Sequence, residues 1–487
     1  MTDPKTAALL AALESDMTLE AGGPFLKIAA DYFAQTKTGA GPVSTRSDKR
    51  AIAARFDEPM PMGIKPLAEV VRRIETDVMP DVNRLSHPMY MGHQVSAPLA
   101  AAVWTEVVIS AVNNSMAVWE MSPVATVIEE QVIGWMCQLA GYGAGASGTF
   151  TSGGTEATMT ALLAARAAWR PDAWTTGLAG GSAPVIVHGE HAHYAVQRAA
   201  GAIGIGTDNC VAVSSTPEFK MDPAALASAL ERLHKEKREV LAVVATAGCT
   251  AVGAFDDLEA IADLCDRYGI WLHVDGAHGA SALLSEKHRW RVRGIDRARS
   301  IAWDPHKMML MPLSAGMVLV RDGKDLERAF AQHAPYLFHG SDSERELSTD
   351  LGKRSFQCSR RADALKVWVA LQRLGVDGVG SLYDALCDSA LALHALLRGQ
   401  EGVTMLHEPE SNILAWGVRE KDAEAVASLR REINQGDSGW ITGTRIDGMA
   451  CLRVTMMNVR SRHGDLVRLV SKQSALSRKT ETRRVNI

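Results

Sequence analysis

Residues 241–277 read LAVVATAGCTAVGAFDDLEAIADLCDRYGIWLHVDGA and place a helical pattern between two short apolar runs. The runs LAVVATAG and IWLHVDGA contain β-branched residues and favour strands. Gly269 is the expected stop of the helix between them. Apolar residues recur there at the i, i+3, i+4 and i+7 spacing of a helix that begins after Asp257, and they are Leu258, Ile261, Ala262 and Cys265. This order of elements predicts a parallel βαβ unit.

The same alternation continues on both sides of this unit. The run APVIVHGE precedes the helical pattern HYAVQRAAGAIG, and the run SAGMVLVRD follows later in the chain. Alternating strands and helices predict an α/β fold with a mostly parallel sheet that helices cover on both faces. We assign this large domain to residues 76–375.

Two further zones flank the large domain. Residues 1–75 read as helical, with breaks at 22–24 (GGP) and 39–42 (GAGP), and are too short and interrupted to form a core of their own. We therefore expect this segment to pack on something else. Residues 376–487 read as a helix followed by the strands NILAWGV and CLRVTMM, with the helix DAEAVASLRREI between the strands. This order predicts a smaller C-terminal α/β domain.

Composition excludes several classes of protein. The chain has 487 residues with 52 Lys+Arg against 56 Asp+Glu, so its net charge of −4 does not favour binding to nucleic acid or to an anionic membrane. Its seven cysteines include no CxxC pair, which is typical of reduced thiols in a cytoplasmic protein. The N-terminus has no basic region before its apolar residues, and no apolar run reaches the roughly 18 residues of a membrane span. We expect a cytoplasmic protein whose partners are small molecules and a second copy of itself.

The first candidate site is the glycine pair in FTSGGTEATMTALLAARAAW. Gly153, Gly154 and Thr155 lie just ahead of a helix of strong helix formers. Small residues let main-chain N–H groups approach an anion, and the helix N-terminus contributes about half a positive charge. This pattern predicts a phosphate site, although a plain glycine turn with a threonine cap is an equally good interpretation. Neither of the common nucleotide-binding glycine patterns is present, and the pattern predicts no metal site.

Three polar side chains stand at the ends of predicted strands. Asp275 ends an apolar strand, where it would either cap the next turn or pair with a cation such as a protonated pyridine nitrogen. His193 follows the strand APVIVHGE, where its flat ring would either stack on a cofactor or serve a structural role. Lys307 lies in IAWDPHKMML, residues 301–310, where apolar flanks would lower its pKa and suit it to imine chemistry. A surface lysine is the alternative.

A phosphate site, a flat ring, a strand-end carboxylate and a strand-end lysine, in this order, fit pyridoxal 5'-phosphate. The segments TSGGTEAT, HAHYAVQRAAGAIGIG, HVDGAHGAS and WDPHK resemble the group II pyridoxal-phosphate amino-acid decarboxylases, a likeness that runs from about Ser86 through Arg453. The resemblance implies a fold-type-I large domain with a seven-stranded sheet and a small C-terminal domain. It also implies an obligate homodimer with active sites at the interface, in which residues 1–75 pack on the partner subunit.

The resemblance also implies a role for each matching residue. Lys307 would bond to the cofactor as a Schiff base, Asp275 would pair with the pyridine nitrogen, and His193 would stack on the ring. Ala277 would pack on the opposite ring face. The remaining cofactor contacts would come from the phosphate-binding residues Gly153, Gly154, Thr155 and His306, and from Thr246 near the polar ring substituents.

Substrate recognition is predicted from two other segments. Arg453 in CLRVTMMN resembles the family arginine that grips the substrate carboxylate, with a structural Asp or Glu as the alternative partner. Gln94 and Ser96 in HPMYMGHQVSAP match polar positions that bind an acidic side chain in the glutamate-like members. We expect decarboxylation of a small acidic amino acid such as aspartate, glutamate or cysteine sulfinate. Diaminobutyrate, aromatic and aliphatic substrates stay open.

Other functions of the same fold also stay open. Transamination or decarboxylation-dependent oxidation would use the same cofactor. A pyridoxal-phosphate-binding regulator or a degenerate scaffold is the alternative that is not an enzyme.

One departure from the family concerns the proton donor. Related decarboxylases carry a loop tyrosine that protonates Cα, but the matching stretch YLFHGSDSERELSTDLGKRSFQCSRR contains only Tyr336, at its start, and no other tyrosine follows before Tyr383. We expect a mobile loop in which His339 or Tyr336 donates the proton. An oxygen-dependent aldehyde is the expected side product.

Overall fold

A seven-stranded sheet forms the centre of the large domain. The structure is a computed structural model that describes residues 3–178, 181–330, 350–418, 422–435, 439–468 and 470. The strands of this sheet are β1 Ser147–Thr151, β2 Val185–Gly189, β3 Cys210–Val213, β4 Val240–Thr246, β5 Trp271–Asp275, β6 Ser300–Trp303 and β7 Gly316–Val320. Their order is β1-β7-β6-β5-β4-β2-β3, and only β7 runs antiparallel to its neighbours. The predicted mostly parallel sheet is confirmed.

The βαβ unit predicted from residues 241–277 is present and positions two candidate residues. Asp257 caps the intervening helix by accepting a hydrogen bond from the Ala260 N–H, and Gly269 ends the helix in the left-handed conformation. The register of β4 on β5 pairs Thr246 with Asp275. Parallel strands end at the same edge of a sheet, so these two side chains lie next to each other at its carboxyl edge.

Helices cover both faces of the sheet. The described α-helices are α1 Pro4–Asp16, α2 Leu19–Thr38, α3 Lys49–Arg55, α4 Leu67–Arg73, α5 Ala100–Val112, α6 Pro123–Leu139, α7 Gly154–Trp169, α8 Ala173–Thr176, α9 Ala195–Ala202, α10 Pro223–Lys235, α11 Leu258–Tyr268, α12 Lys324–Ala329, α13 Ala364–Arg398 and α14 Ala423–Gln435. On one face, α6, α10, α11 and α13 share a core that includes Ile133, Leu226 and Ile261. On the other, α7 and α9 pack around Leu162 and Ala199. Across the described residues, none of the helices combines the length and apolar character that a bilayer span requires.

The smaller C-terminal domain is also α/β. Its strands are β8 Val403–Met405, β9 Ile413–Val418, β10 Thr442–Ile446 and β11 Met449–Thr455, which form an antiparallel sheet in the order β10-β11-β9-β8. Helix α14 packs on this sheet around Trp416, Leu429 and Leu452. Helix α13 connects the domains and contains Gly375 in a non-helical conformation (φ 68°, ψ 172°). Gly375 stands at the predicted domain boundary, which remains a prediction.

The N-terminal segment is helical, but one predicted break is wrong. Helix α2 continues through residues 22–24 and ends where the second break was expected, at Gly39 in the left-handed conformation. Pro24 lies near the start of the helix and removes a single main-chain hydrogen bond, while Thr18 caps the first turn by accepting from the Ala21 N–H.

Candidate active site

One cavity gathers the residues predicted to hold the cofactor. It has a volume of about 390 Å³ and lies at the carboxyl edge of the seven-stranded sheet. Its lining includes all nine predicted positions, which are Gly153, Gly154, Thr155, His193, Thr246, Asp275, Ala277, His306 and Lys307. The sequence places these residues far apart, and the crossover connections of the sheet bring them together.

Two glycines form one wall at the N-terminus of α7. Gly153 has φ 154°, which other residues rarely adopt. A Cβ on Gly154 would lie only 2.7 Å from the Ala277 Cβ, so no larger residue fits there without movement. Main-chain N–H groups at a helix N-terminus, free of side-chain bulk, suit a phosphate group.

A strand-end pair forms the floor of the cavity. Asp275 is 8% exposed, and its carboxylate accepts a hydrogen bond from the Ala277 N–H at 3.2 Å. Beside it, the Thr246 hydroxyl is buried without a hydrogen-bond partner in the described structure. The Thr246 N–H donates to Asp256 at 2.7 Å, and burial raises the pKa of Asp256 to about 6. A buried carboxylate and a buried hydroxyl with hydrogen-bonding capacity left over fit a polar aromatic ring.

Lys307 differs from its sequence-based expectation in one respect. Its amine does not meet only apolar groups, because Nζ lies 3.0 Å from Oδ2 of Asp304. Asp304 is 1% exposed, and the same oxygen lies 3.4 Å from Nε2 of His306. Nδ1 of His306 accepts from the Ala315 N–H at 3.0 Å, so the ring carries its proton on Nε2. The sequence analysis missed Asp304, although it is part of the quoted DPHK motif.

Two histidines in the cavity wall are neutral near pH 7. Burial lowers the pKa of His193, whose Nδ1 accepts from the Ala195 N–H at 3.2 Å. Burial also lowers the pKa of His278 to about 3. Nε2 of His278 lies 2.6 Å from Oδ1 of Asn412 in the small domain, so this residue joins the two domains beside the cavity. His278 had no role in the sequence analysis, although it falls inside the HVDGAHG motif.

The predicted substrate-binding residues lie around the cavity but are not part of its described lining. Arg453 is 6% exposed and donates to the carbonyls of Ala251 at 3.2 Å and Thr250 at 2.6 Å. Within the described ranges no carboxylate forms an ion pair with Arg453, so the alternative Asp or Glu partner is not found there. Burial lowers the pKa of Arg453 to about 10. Its carbonyl partners belong to a loop that contributes Thr250 to the cavity wall.

Ser96 and Gln94 lie on a segment that connects Lys307 to the small domain. The Ser96 hydroxyl is 3.1 Å from the carbonyls of both His306 and Met311, so it braces the loop that carries the lysine. Nε2 of Gln94 is buried and has no partner among the described residues. The predicted proton donors, Tyr336 and His339, lie outside the described residues.

Comparison with known proteins agrees with this geometry. The family model for the pyridoxal-dependent decarboxylase conserved domain matches residues 50–418. This chain belongs to the pyridoxal-dependent decarboxylase family. It is therefore a pyridoxal-phosphate-dependent amino-acid decarboxylase, and the predicted family, fold type, cofactor and reaction class are confirmed.

Two curated relatives of this decarboxylase act on different substrates. L-2,4-diaminobutyrate decarboxylase of Rhizobium meliloti is 34% identical over 431 residues, which cover 87% of this chain and 85% of the relative. Acidic amino acid decarboxylase GADL1 of Homo sapiens is 35% identical over 363 residues, which cover 73% of this chain and 67% of the relative.

A solved structure has the same fold as this decarboxylase. It is the glutamate decarboxylase domain of diaminobutyrate-pyruvate transaminase and L-2,4-diaminobutyrate decarboxylase from Vibrio parahaemolyticus. It matches with a TM-score of 0.82 at 27% identity, over 95% of this chain and 97% of that one.

The residues of this decarboxylase fit pyridoxal phosphate on structural grounds. The glycine wall leaves no room for side chains where a phosphate would bind. The buried Thr246 hydroxyl and the Asp275 carboxylate lie where the polar ring substituents and the ring nitrogen would need partners. The Lys307 side chain is 22% exposed and lines the same cavity.

Proposed function

We propose that this decarboxylase removes the α-carboxyl group of a small acidic amino acid, namely aspartate, glutamate or cysteine sulfinate. The observation that carries this proposal is the Gln94 amide, whose Nε2 is a buried donor without a described partner. A buried donor favours a ligand that accepts hydrogen bonds, as the side-chain carboxylate or sulfinate of these substrates does.

The position of Gln94 supports this role. The Thr455 N–H donates to the Met91 carbonyl at 3.0 Å, and the Ala97 N–H donates to the Met457 carbonyl at 2.9 Å. Residues 91–97 therefore run along the end of β11, the strand that carries Arg453. The other contacts of this segment, through Ser96, hold the Lys307 loop. Gln94 thus belongs to a segment that contacts both the end of the strand carrying Arg453 and the loop carrying Lys307.

Each residue of the proposed site would have its own task in the reaction. Bound pyridoxal phosphate supplies a ring that stabilises the carbanion left at Cα when carbon dioxide departs. Gly153, Gly154 and Thr155 would hold the phosphate, while Asp275 and His193 would hold the ring. Arg453 would grip a substrate carboxylate and fix the bond to be broken perpendicular to the ring.

Diaminobutyrate is the second candidate substrate. The Rhizobium meliloti relative is named for it and aligns with 87% of this chain, whereas the human relative is named for acidic amino acids. The Gln94 side chain offers an acceptor oxygen as well as a donor, and the oxygen would suit a second ammonium group.

A substrate panel separates these candidates. Purified enzyme with pyridoxal phosphate is assayed with aspartate, glutamate, cysteine sulfinate, diaminobutyrate and an aromatic amino acid, and carbon dioxide and amine are measured together. We expect the highest kcat/KM with an acidic substrate. A clear preference for diaminobutyrate would replace the acidic assignment. Keto acid without carbon dioxide would indicate transamination instead.

We also propose that the protein is a homodimer that uses its N-terminal segment as part of the interface. Helix α1 has no buried residue, and Leu9, Leu10 and Leu13 are each about half exposed. Helix α5 exposes Val107 and Val108 to a similar extent. Apolar side chains on helices with so little cover favour burial against a second copy.

Sedimentation measurements test the dimer. Leu10→Asp with Leu13→Asp should weaken the dimer, whereas Leu396→Asp on α13 is a matched control at another exposed leucine and should leave it intact. A monomeric wild type would contradict the proposal.

A cytoplasmic location is a further proposal, supported by seven cysteines that are all free thiols.

A further inference from the structure

The position of Asp304 is not explained by its sequence context or by the roles proposed for the cofactor-binding residues. It follows β6 directly, and its N–H donates to the Ala277 carbonyl at 3.1 Å. One carboxylate oxygen, Oδ2, lies 3.0 Å from the Lys307 amine and 3.4 Å from Nε2 of His306. The other oxygen, Oδ1, is buried without a hydrogen bond among the described residues.

The surroundings of Asp304 leave little freedom to its side chain. A Cβ on Gly154 would lie 3.1 Å from Oδ2, and a Cβ on Gly316 would lie 2.9 Å from Oδ1. The carboxylate is therefore packed between two glycine positions at the base of the proposed phosphate wall. Because its side chain is only 2% exposed, water does not compete effectively for the Lys307 amine from that direction.

We propose that Asp304 is a positioning residue that binds the Lys307 ammonium whenever this lysine is not bonded to the cofactor. This inference rests on the proposed role of Lys307 as the cofactor lysine. By holding the released amine in the cavity, Asp304 favours its release and keeps it in place for rebinding.

The atoms and charges of the amine exchange balance without another reactant. With pyridoxal phosphate bound, a substrate ammonium would form a C=N bond at the cofactor carbon as the C=N bond from this carbon to the Lys307 nitrogen breaks. The nitrogen bonded to the cofactor keeps one proton before and after, so two protons would pass from the substrate nitrogen to the lysine nitrogen and Lys307 would leave as an ammonium. A fixed carboxylate stabilises this leaving form through a charge-assisted hydrogen bond.

Asp304→Asn tests the proposal because it keeps the shape and removes the charge. The matched control is Asp363→Asn, because Asp363 makes an ion pair of the same spacing and length, 3.0 Å, with the buried Lys366. Both variants and the wild type are prepared as apoprotein and treated at pH 7.5 with a low concentration of acetic anhydride. Modification of Lys307 is then followed by peptide mass spectrometry.

We expect Lys307 to be acetylated about tenfold faster in Asp304→Asn, because the amine loses its charged partner. Asp363→Asn should leave this rate unchanged. Equal acetylation rates in wild type and Asp304→Asn would overturn the proposal. The same rate increase in both variants would also overturn it, because it would indicate a general loosening of the protein.

A second measurement uses the loaded enzyme without its activity. The enzyme is incubated with increasing amounts of an amine that has no carboxyl group and is then reduced with borohydride, and the fraction of cofactor trapped on Lys307 is measured. Asp304→Asn should need about tenfold more amine to displace the cofactor, and an unchanged requirement would contradict the proposal. Cofactor trapped on another lysine in the wild type would instead contradict the proposed role of Lys307. If Asp304→Asn does not fold, Asp304→Ser, whose side chain is smaller than that of aspartate, replaces it in both tests.

Discussion

Two aspartate–lysine pairs of the large domain have the same spacing and length but different surroundings. Asp304–Lys307 and Asp363–Lys366 both join residues i and i+3 at 3.0 Å. Lys366 is fully buried and also contacts Glu106 and the Ser314 carbonyl. Among the described residues, Lys307 has one carboxylate partner; its side chain is 22% exposed and faces a cavity of about 390 Å³.

The difference indicates what sets Lys307, the lysine proposed to be reactive, apart from a lysine with a structural role. Three acceptors use the hydrogen-bonding capacity of Lys366 completely, so it fixes α13 to α5 and to the segment beyond Lys307. Among the described residues, the Lys307 ammonium has N–H donors without a partner, and its side chain faces the cavity. Charge and pair geometry alone would not distinguish the two lysines, whereas unused hydrogen-bonding capacity next to a cavity does.

Removing the reactive lysine should have the largest effect on activity. Lys307→Ala should fold and retain its melting temperature to within a few degrees, because the side chain is partly exposed and lines a cavity. It should lose nearly all turnover, because no amine is left to bond to the cofactor. Carbon dioxide release and thermal unfolding check this prediction. Substantial activity in this variant would contradict the proposed role of Lys307 and remove the contrast with Lys366.

Removing the structural lysine should have the reverse effect. Lys366→Ala removes the buried cation of Asp363 and leaves it, among the described residues, only the partly exposed Arg361, whose Nε lies 3.7 Å away. Breaking a buried pair costs roughly 3–5 kcal/mol of unfolding free energy. The protein that remains folded should keep near-normal kcat. Denaturant unfolding and kcat per folded enzyme measure the two effects, and a variant as stable as wild type would show that the pair is not structural.

Arg453 extends the comparison to a buried cation that, among the described residues, donates to two main-chain carbonyls and to the Thr442 hydroxyl and forms no ion pair. Arg453→Lys keeps the charge but loses the two-pronged geometry, so kcat/KM should fall for every substrate by roughly 1.5–3 kcal/mol. Gln94→Ala should change the ranking among substrates. Steady-state kinetics on the substrate panel distinguish these outcomes, and an equal shift for all substrates in both variants would remove Gln94 as the specificity residue.

The proton donor is predicted for a segment outside the described residues. If Tyr336 or His339 protonates Cα, then Tyr336→Phe or His339→Phe should slow amine formation and raise oxygen-dependent aldehyde. Product analysis under air and under nitrogen measures both. Clean amine at an unchanged rate from both variants would exclude the two donors, and the absence of aldehyde from wild type under air would exclude the oxidative branch.

The smallest predicted effect is an acid-sensitive melting temperature. Burial lowers the pKa of His273 to about 4, of His278 to about 3 and of His407 to about 4. The unfolded chain, with histidine pKa values near 6.5, binds more protons below that pH, so this stability is present above about pH 6.5 and is lost as the pH falls toward 4. Protonation of Asp256 has the opposite effect on stability, because burial raises its pKa to about 6 in the folded protein.

Three histidines outweigh one aspartate, so the melting temperature should be lower at pH 5 than at pH 7.5. His407→Gln removes one of the titrating groups and should make the decrease smaller. A melting temperature that is equal or higher at pH 5 in the wild type would contradict the assignment.

The sequence predicted what depends on local pattern and motif order. The strand and helix periods of residues 241–277, the helix start after Asp257 and the Gly269 stop are all confirmed, because each depends on neighbouring residues. The break predicted at residues 22–24 was wrong, because helix α2 begins at Leu19 and continues through Pro24 to Thr38. The nine predicted cofactor residues line one cavity because parallel strands end at one edge.

The sequence could not show which groups pair across the fold. The main-chain carbonyls that bind Arg453 and Ser96 are not visible in any residue pattern, because only the tertiary arrangement of two loops places them there. Asp304 was overlooked because IAWDPHKMML was interpreted through its apolar residues. A carboxylate three positions before a lysine on one turn is a local signal that could have revealed the pair.

The Lys307 amine is proposed to carry the cofactor in the active site of this decarboxylase. Reduction of the purified enzyme with borohydride, followed by proteolysis and mass spectrometry, identifies the lysine that does so. We expect a reduced pyridoxyl group on Lys307 in the wild type and none on Lys366. Modification of any other lysine, with Lys307 unmodified, would contradict it.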